Sequence, residues 1–296
     1  MTGSLAEIAN KIAARRVVSE DEARQVMASS DLVTVGMVAS EARRIRVGEG
    51  VSFVRVAEVV DPAADDFTCP PLAGEVRVTG RPASLDAAIA AVRAAVAKAG
   101  ATPVSAFALD ALVALAPTPD ALEAAARALR EAGAVAVAEA PIDVLTDPAV
   151  AVARVVAGGL AVPVASWRHA QADPVAALRR LMDLQKATHA FRAFAPLPRT
   201  LVTDTPSTGY DDVKTVALAR VMLDDIEHVQ VDWASHGPKL AQVALLFGAS
   251  DLDRVSPLDD APLGHRRAPL EEVRRNINAA FLTPSERDGR FQKVVR

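Results

Sequence analysis

The chain has 296 residues, of which 51% are apolar and only 4% aromatic, and its formal net charge is −4. That length accommodates one large domain with an ample core, and the acidic balance argues against a nucleic-acid binder, which carries a basic footprint. One cysteine excludes an intrachain disulfide framework, no apolar run reaches membrane-spanning length and the first residues lack a signal-peptide core, so a cytoplasmic protein without a membrane span is expected.

Residues 4–47 read as helices, with Ser4 as one cap and Ser19 followed by Glu22 marking a second start. Val51–Val60 (VSFVRVAEVV) alternates and is rich in β-branched residues, so it reads as a strand. The next fourteen residues, DPAADDFTCPPLAG, form a turn-rich loop with three prolines and no room for a helix. Glu75–Thr79 is a short strand, and Ser84–Gly100 an alanine-rich helix capped by Ser84 and closed by Gly100.

Strand and helix then alternate. Strands are predicted over Val104–Leu109, Ala134–Ala138, Leu160–Ser166, His189–Ala195 and His228–Trp233, with an eighth near Gly248–Leu252. Helices are predicted over Pro119–Ala132, Asp147–Gly158, Asp173–Thr188, Asp211–Leu223 and Gly237–Phe247. Such alternation predicts parallel βαβ units and an α/β fold, a (β/α)8 TIM-type barrel, complete or partial. The expected organisation is a helical extension over 1–50, the barrel over 51–256 with a shortened first strand-to-strand connection, and a charged tail over 257–296. That tail contains one short helix, Leu270–Ala280, and its SERDGRF stretch reads as solvated surface.

The stretch Gly209–Asp253, with its VALARVMLDDI helix and VDWASHGPK segment, resembles the C-terminal third of the radical S-adenosylmethionine (SAM) enzymes of futalosine-route menaquinone biosynthesis. These are aminofutalosine synthase and the dehypoxanthinyl futalosine cyclase, with the deazaflavin synthases as more distant relatives. The opening helices, the first strand, FRAFAPL and ASWRHA also resemble that family. The family holds a four-iron, four-sulfur cluster on a CxxxCxxC loop after the first strand, and thiolates bind the irons. Here the only cysteine is Cys69, so the resemblance implies a chain that has lost its cluster loop and the helix after it. The family's glycine-rich segments become EVRVTGRPAS and AEAPIDVL, with Gly80 kept and Asp143 in place of a glutamate that contacts the SAM ribose in relatives. Glycine permits close backbone approach to a ligand, so neither the cluster nor SAM is expected as a cofactor.

Barrel active sites sit at the C-terminal ends of the strands. The polar residues predicted there are Glu139, Asp143, Trp167, Arg168, His169, Asp232 and His236, with Arg192 inside a strand and facing the lumen. Asp143, His169, Asp232 and His236 are the candidate acid–base groups. Glu139, Trp167, Arg168, Arg192, Trp233 and Lys239 are the candidates for binding a substrate, with arginines clamping a carboxylate. The competing reading is that these groups pair among themselves. His189, His228 and His236 have no metal-ligand spacing, so no metal site is expected. Cys69 reads as a structural thiol, Asp211 and Asp212 as helix-terminal charges, and Asp259 and Asp260 as remnants of the family's acidic stretch.

Three functions are compatible with this pattern. One is a non-catalytic or repurposed paralogue in menaquinone biosynthesis, partnering an intact radical SAM paralogue or a second copy of itself. Another is a non-radical lyase, hydrolase or isomerase acting on a futalosine- or chorismate-derived acid. The third is a barrel scaffold that binds a small anionic ligand.

Overall fold

The computed structural model describes residues 5–63, 67–198, 209–258 and 269–295. Three helices lead: α1 (Leu5–Ala13), α2 (Glu20–Ala28) and α3 (Leu32–Val47). The predicted Ser19–Glu22 capping box starts α2, and Asp31 accepts from the Thr34 amide at 3.0 Å to start α3. Ile8, Ile12, Val35, Val38 and Ala42 of these helices make a second, smaller core with Ala217 and Val221.

The barrel follows in the order β1 (Gly50–Val59), β2 (Glu75–Val78), α4 (Leu85–Ala99), β3 (Val104–Ala106), α5 (Leu109–Leu115), α6 (Pro119–Glu131), β4 (Ala140–Pro141) and α7 (Pro148–Ala157). Then come β5 (Val164–Ser166), α8 (Pro174–Thr188), β6 (Ala193–Ala195), α9 (Gly209–Met222), β7 (His228–Asp232), α10 (Trp233–Leu246) and β8 (Asp251–Val255). The last elements are α11 (Pro269–Ala279) and β9 (Thr283–Glu286). The strands are parallel in the order β3-β2-β1-β8-β7-β6-β5-β4. Single bridges, Ser105 to Ala136 and Ala108 to Glu139, carry β3 across to the segment before β4. The architecture is a (β/α)8 TIM-type barrel of the partial kind, with its fourth stave reduced to bridges. No helix among the described residues is long and apolar enough to cross a membrane.

Alternating apolar positions put Val and Ala side chains of the strands into one continuous core with the inner faces of the helices. α9 has no polar stripe because it is covered on both sides. Val216 and Ala219 join the barrel core, while Ala217 and Val221 join the core beneath α1 and α3.

Between β1 and β2 the described residues contain no helix. The loop turns back along the outside of the sheet, where Phe67 and Cys69 pack against the main core. Lys98 Nζ lies 5.9 Å from the Phe67 ring, and the Cys69 thiol donates to the Pro70 carbonyl at 3.7 Å, near Thr102 on the turn that enters β3. The loop thus takes the outer position that a crossover helix would fill and leads Cys69 to the N-terminal end of the strands.

Several elements differ from expectation: the strand expected over Ala134–Ala138 makes only isolated bridges at Ala136, and β4 falls at Ala140–Pro141. The strand predicted over Val104–Leu109 stops at Ala106, because Phe107 turns into the left-handed region (φ 56°) and α5 begins at Leu109. α10 starts at Trp233, and Gly237 (φ 74°) with Pro238 splits it into two pieces; only the second was predicted. The SERDGRF stretch is not solvated. β9 pairs with the first half of β1 (Gly50 with Thr283 through Phe53 with Glu286), while β2 pairs with its second half (Val56 with Glu75 through Val59 with Val78). Two glycines allow the fit: a Cβ on Gly289 would stand 2.9 Å from Glu75 Cγ, and one on Gly74 would stand 3.0 Å from the Arg287 carbonyl.

The lumen is unusually charged for a fold whose interior is normally apolar layers. Arg77 donates to Glu75 at 2.8 and 3.0 Å and to Asp253 at 2.9 Å, and Ser105 Oγ donates to Glu75. Below them Arg287 makes a bidentate pair with Asp251 at 2.7 Å, and Asp251 also accepts from Gln230 and Ser52. Buried charges persist only when paired and hydrogen-bonded in this way.

Candidate active site at the barrel mouth

Strand alternation delivers Glu58, Arg77 and Arg254 to the C-terminal ends of β1, β2 and β8, and the turn after β5 delivers Arg168 and His169. They line a cleft of about 670 Å³ together with Thr79, Gly80, Arg81, Asp110 and Glu139.

The cleft wall is a chain of alternating charges. Arg168 Nη2 lies 3.0 Å from Glu139 and 3.4 Å from Asp110, and Asp110 also accepts from Arg81 at 2.5 Å. On the far side Arg254, held in the left-handed region (φ 55°), reaches Glu58 at 2.7 Å, Asp232 at 2.9 Å and Ser235 Oγ at 3.0 Å. Burial alone would push the Arg254 guanidinium down, but Asp232 and Glu58 hold it above its ordinary value. The same contest at Arg77 on the cleft floor, between full burial and the Asp253 and Glu75 carboxylates, ends well above it.

The residues expected to act as acids and bases are not gathered in one place. His169 reaches the cleft, with 64% of its side chain exposed. Asp143 stands behind it: its carboxylate accepts from the backbone amides of Arg168 and His169, each at 2.9 Å, and lies 3.2 Å from His169 Nδ1. Asp143 therefore fixes the turn that presents Arg168 and His169. Asp232 caps α10 through the Ser235 amide at 2.8 Å and reaches the cleft only through Arg254. His236 is turned away, with Nδ1 at 3.1 Å from the Asp232 carbonyl and Nε2 at 3.1 Å from the Pro198 carbonyl.

Of the expected binding residues, Glu139 and Arg168 face the cleft. Trp167 is buried edge-on against Phe194 at 4.9 Å, in the core. Trp233 lines a side cleft next to Glu58 and Arg254. Lys239 is exposed on α10, beyond the kink. Arg192 does not face the lumen: it precedes β6 at the N-terminal end of the strands, half exposed and paired with Glu227 at 2.7 Å. Asp259 and Asp260 lie outside the described residues.

Sequence reasoning missed Glu58, Arg77, Arg81, Asp110 and Arg254. For Glu58 and Arg77 a signal existed, since each interrupts a β-branched run where a barrel strand turns one face inward. For Arg254 none did, because its partner Glu58 is 196 residues away.

No protein-family model matches the chain. Its sequence is similar to that of the cyclic dehypoxanthine futalosine synthase of Streptomyces coelicolor, 30% identical over 133 residues that make up 42% of this chain and 33% of that protein. It is likewise similar to the aminodeoxyfutalosine synthase of Thermus thermophilus, at 33% over 130 residues, 39% of this chain and 35% of that one. A third relative is the 5-amino-6-(D-ribitylamino)uracil–L-tyrosine 4-hydroxyphenyl transferase of Methanoculleus marisnigri, at 36% over 91 residues, 28% of this chain and 25% of that one. The matched region thus spans a quarter to about a third of these curated relatives. Methylornithine synthase superposes with a TM-score of 0.65 at 12% identity, over 94% of this chain and 97% of that one. A maturase of the FeFe-hydrogenase, HydG, does so at 0.65 and 13% identity, over 95% of this chain and 75% of that one. In sequence the chain is similar to the futalosine synthases over part of its length, and in fold it is similar to methylornithine synthase and HydG.

Proposed function

We propose that this chain is a radical-SAM-type barrel protein that works without the iron–sulfur cluster in futalosine-route menaquinone biosynthesis. It is a non-catalytic or repurposed paralogue whose mouth holds a small anionic ligand, and its partner is an intact paralogue or a second copy. The carrying observation is the connection after β1, the place where the cluster loop stands in radical SAM enzymes. That connection holds one thiol, Cys69, and leads it to Thr102 at the opposite end of the barrel from the mouth. Cluster irons are held by several thiolates. Here burial pushes the lone thiol up, against the pull of Thr102. Among the described residues no group of three or more His, Cys, Asp and Glu side chains could hold a metal ion. The donors present do not fit the cluster, so no step is routed through it or through SAM.

The mouth supports the anionic ligand. Arg81 and Arg168 converge on one carboxylate, Asp110, each through one nitrogen to a different oxygen, and a ligand carboxylate placed between them would bridge the two guanidinium groups in the same way. Two measurements test the reading. Anaerobically purified protein should carry substoichiometric iron and sulfide, and a pull-down should recover a cluster-bearing relative or a defined homo-oligomer. A stoichiometric cluster would overturn it.

A second reading has its own observation: His169 is exposed to the cleft and backed by Asp143 at 3.2 Å, the arrangement of an oriented general base. On that reading the protein is a non-radical lyase, hydrolase or isomerase acting on a futalosine- or chorismate-derived acid. His169→Ala would then abolish turnover of such an acid with the melting temperature nearly unchanged, and unchanged turnover would exclude it.

A further inference from the structure

At the opposite end of the barrel from the mouth, the starts of the strands open on a second cleft of about 650 Å³. One wall is the strand starts around Ala134 and Ala161, and the other is the C-terminal segment at Gly289–Phe291. Arg130, Arg192 and Arg290 line it, and among the described residues no carboxylate does.

Two of these arginines, Arg130 and Arg290, are not neutralised as those of the mouth are. Arg192 shares its charge with Glu227 at 2.7 Å. Arg130 reaches the Gly159 carbonyl at a long 3.5 Å. Arg290, exposed on the C-terminal segment, has no carboxylate partner among the described residues. Phe291 gives the cleft an apolar wall, and its ring is pinned by Arg287 at 3.8 Å and His228 at 6.1 Å. Guanidinium groups that converge on a concave surface with low-dielectric walls repel one another and focus positive potential into it. A planar fork of donors suits phosphate and carboxylate oxygens.

We propose that this second cleft binds a small multivalent oxyanion, a phosphate or a polycarboxylate, clamped by Arg130 and Arg290 with Arg192 at its edge. Arg130 also complements the carbonyl end of α6, in whose last turn it lies. That role accounts for Arg130, while Glu227 and the Phe291 ring, 5.7 Å away, account for Arg192; Arg290, with no carboxylate partner among the described residues, is left for the anion. A bound anion would bridge α6 to the C-terminal segment and so stabilise the closed bottom of the barrel.

The test is thermal unfolding of the whole protein against rising inorganic phosphate and, separately, citrate, each compared with sodium chloride at equal ionic strength. Wild-type protein should show a saturable rise in Tm with one or both anions, and which one responds identifies phosphate or polycarboxylate as the ligand chemistry. Arg130→Gln combined with Arg290→Gln, both exposed positions, should weaken the apparent affinity about tenfold or more while keeping the circular-dichroism spectrum. Arg168→Gln reports separately on any anion bound at the mouth, and the part of the response that the double variant removes should survive in it. The proposal is overturned if neither anion acts beyond the chloride control, if the double variant responds like wild type, or if Arg168→Gln removes the response and so places the anion at the mouth.

Discussion

Arg220 is fully buried, and its guanidinium bonds only neutral oxygens: the carbonyls of Gly248 at 3.0 Å and Glu227 at 3.2 Å, and Ser250 Oγ at 2.9 Å. Burial, then the charges of Arg46 and Arg43, push it down to about 9, so it keeps its charge at neutral pH. The space for it is made by Gly248, whose φ is 95° and whose added Cβ would meet Arg220 Cγ at 2.7 Å and the Ala39 carbonyl at 3.0 Å. Gly248→Ala should therefore cost about 2–5 kcal/mol, left-handed strain and overpacking together, read by urea unfolding. Arg287→Gln would leave Asp251 a buried charge with only Gln230 and Ser52 as partners, for a loss of about 3–5 kcal/mol. His228 gives a pH dependence. Burial lowers it, against the pull of Asp251 and Glu227, while Arg287 and Arg220 lower it further. A histidine depressed in the folded state is neutral there while the unfolded chain protonates, so stability falls as pH drops below the ordinary value of about 6.5. Asp251, whose carboxylate is held low chiefly by Arg287 against its burial, adds its own loss only at much more acid pH. His228→Gln should flatten the stability profile between pH 6.5 and the acid limb, about one proton's worth of slope; an unchanged profile would assign that slope to another group.

At the scale of elements, β9 is a strap that completes the edge of β1 where the short β2 leaves it open, with Arg55 pairing Glu286 at 2.8 Å. Removing residues 283–296 would bare that edge and leave Asp251 without Arg287. We expect a shortened chain that binds a hydrophobic dye and unfolds with reduced cooperativity; a sharp transition at the original midpoint would show the strap to be dispensable. The alternation of strands and helices was legible because α4, α6, α7 and α8 start at the side-chain caps Ser84, Thr118, Asp147 and Asp173, and β1 and β2 are rich in valine. The strap was not: TPSE has no alternating apolar face, and Pro284, paired with Val51, donates no backbone bond. α5 was hidden for another reason, since VSAFAL continues an apolar run and only the positive φ at Phe107 ends the strand. That the described residues between β1 and β2 hold no helix was legible from length alone, as fourteen residues cannot hold a loop and a helix.

For the molecule as a whole, the mouth was half legible. Charges at strand ends pointed to Glu139, Arg168 and His169, but the pairings that close the wall join residues from distant elements, as Arg81 with Asp110 and Arg254 with Glu58. Asp143 read as an acid–base group, and the structure also shows its carboxylate accepting from two backbone amides, which no sequence signal announced. The central proposal is that this barrel works without an iron–sulfur cluster. The most direct measurement is anaerobic reconstitution of the purified chain with iron, sulfide and a reductant, followed by incubation with SAM and assay for its cleavage to 5′-deoxyadenosine. We predict no stoichiometric iron, no reduced-cluster signal in electron paramagnetic resonance and no cleavage above a protein-free control. A four-iron cluster that turns SAM over would contradict the account.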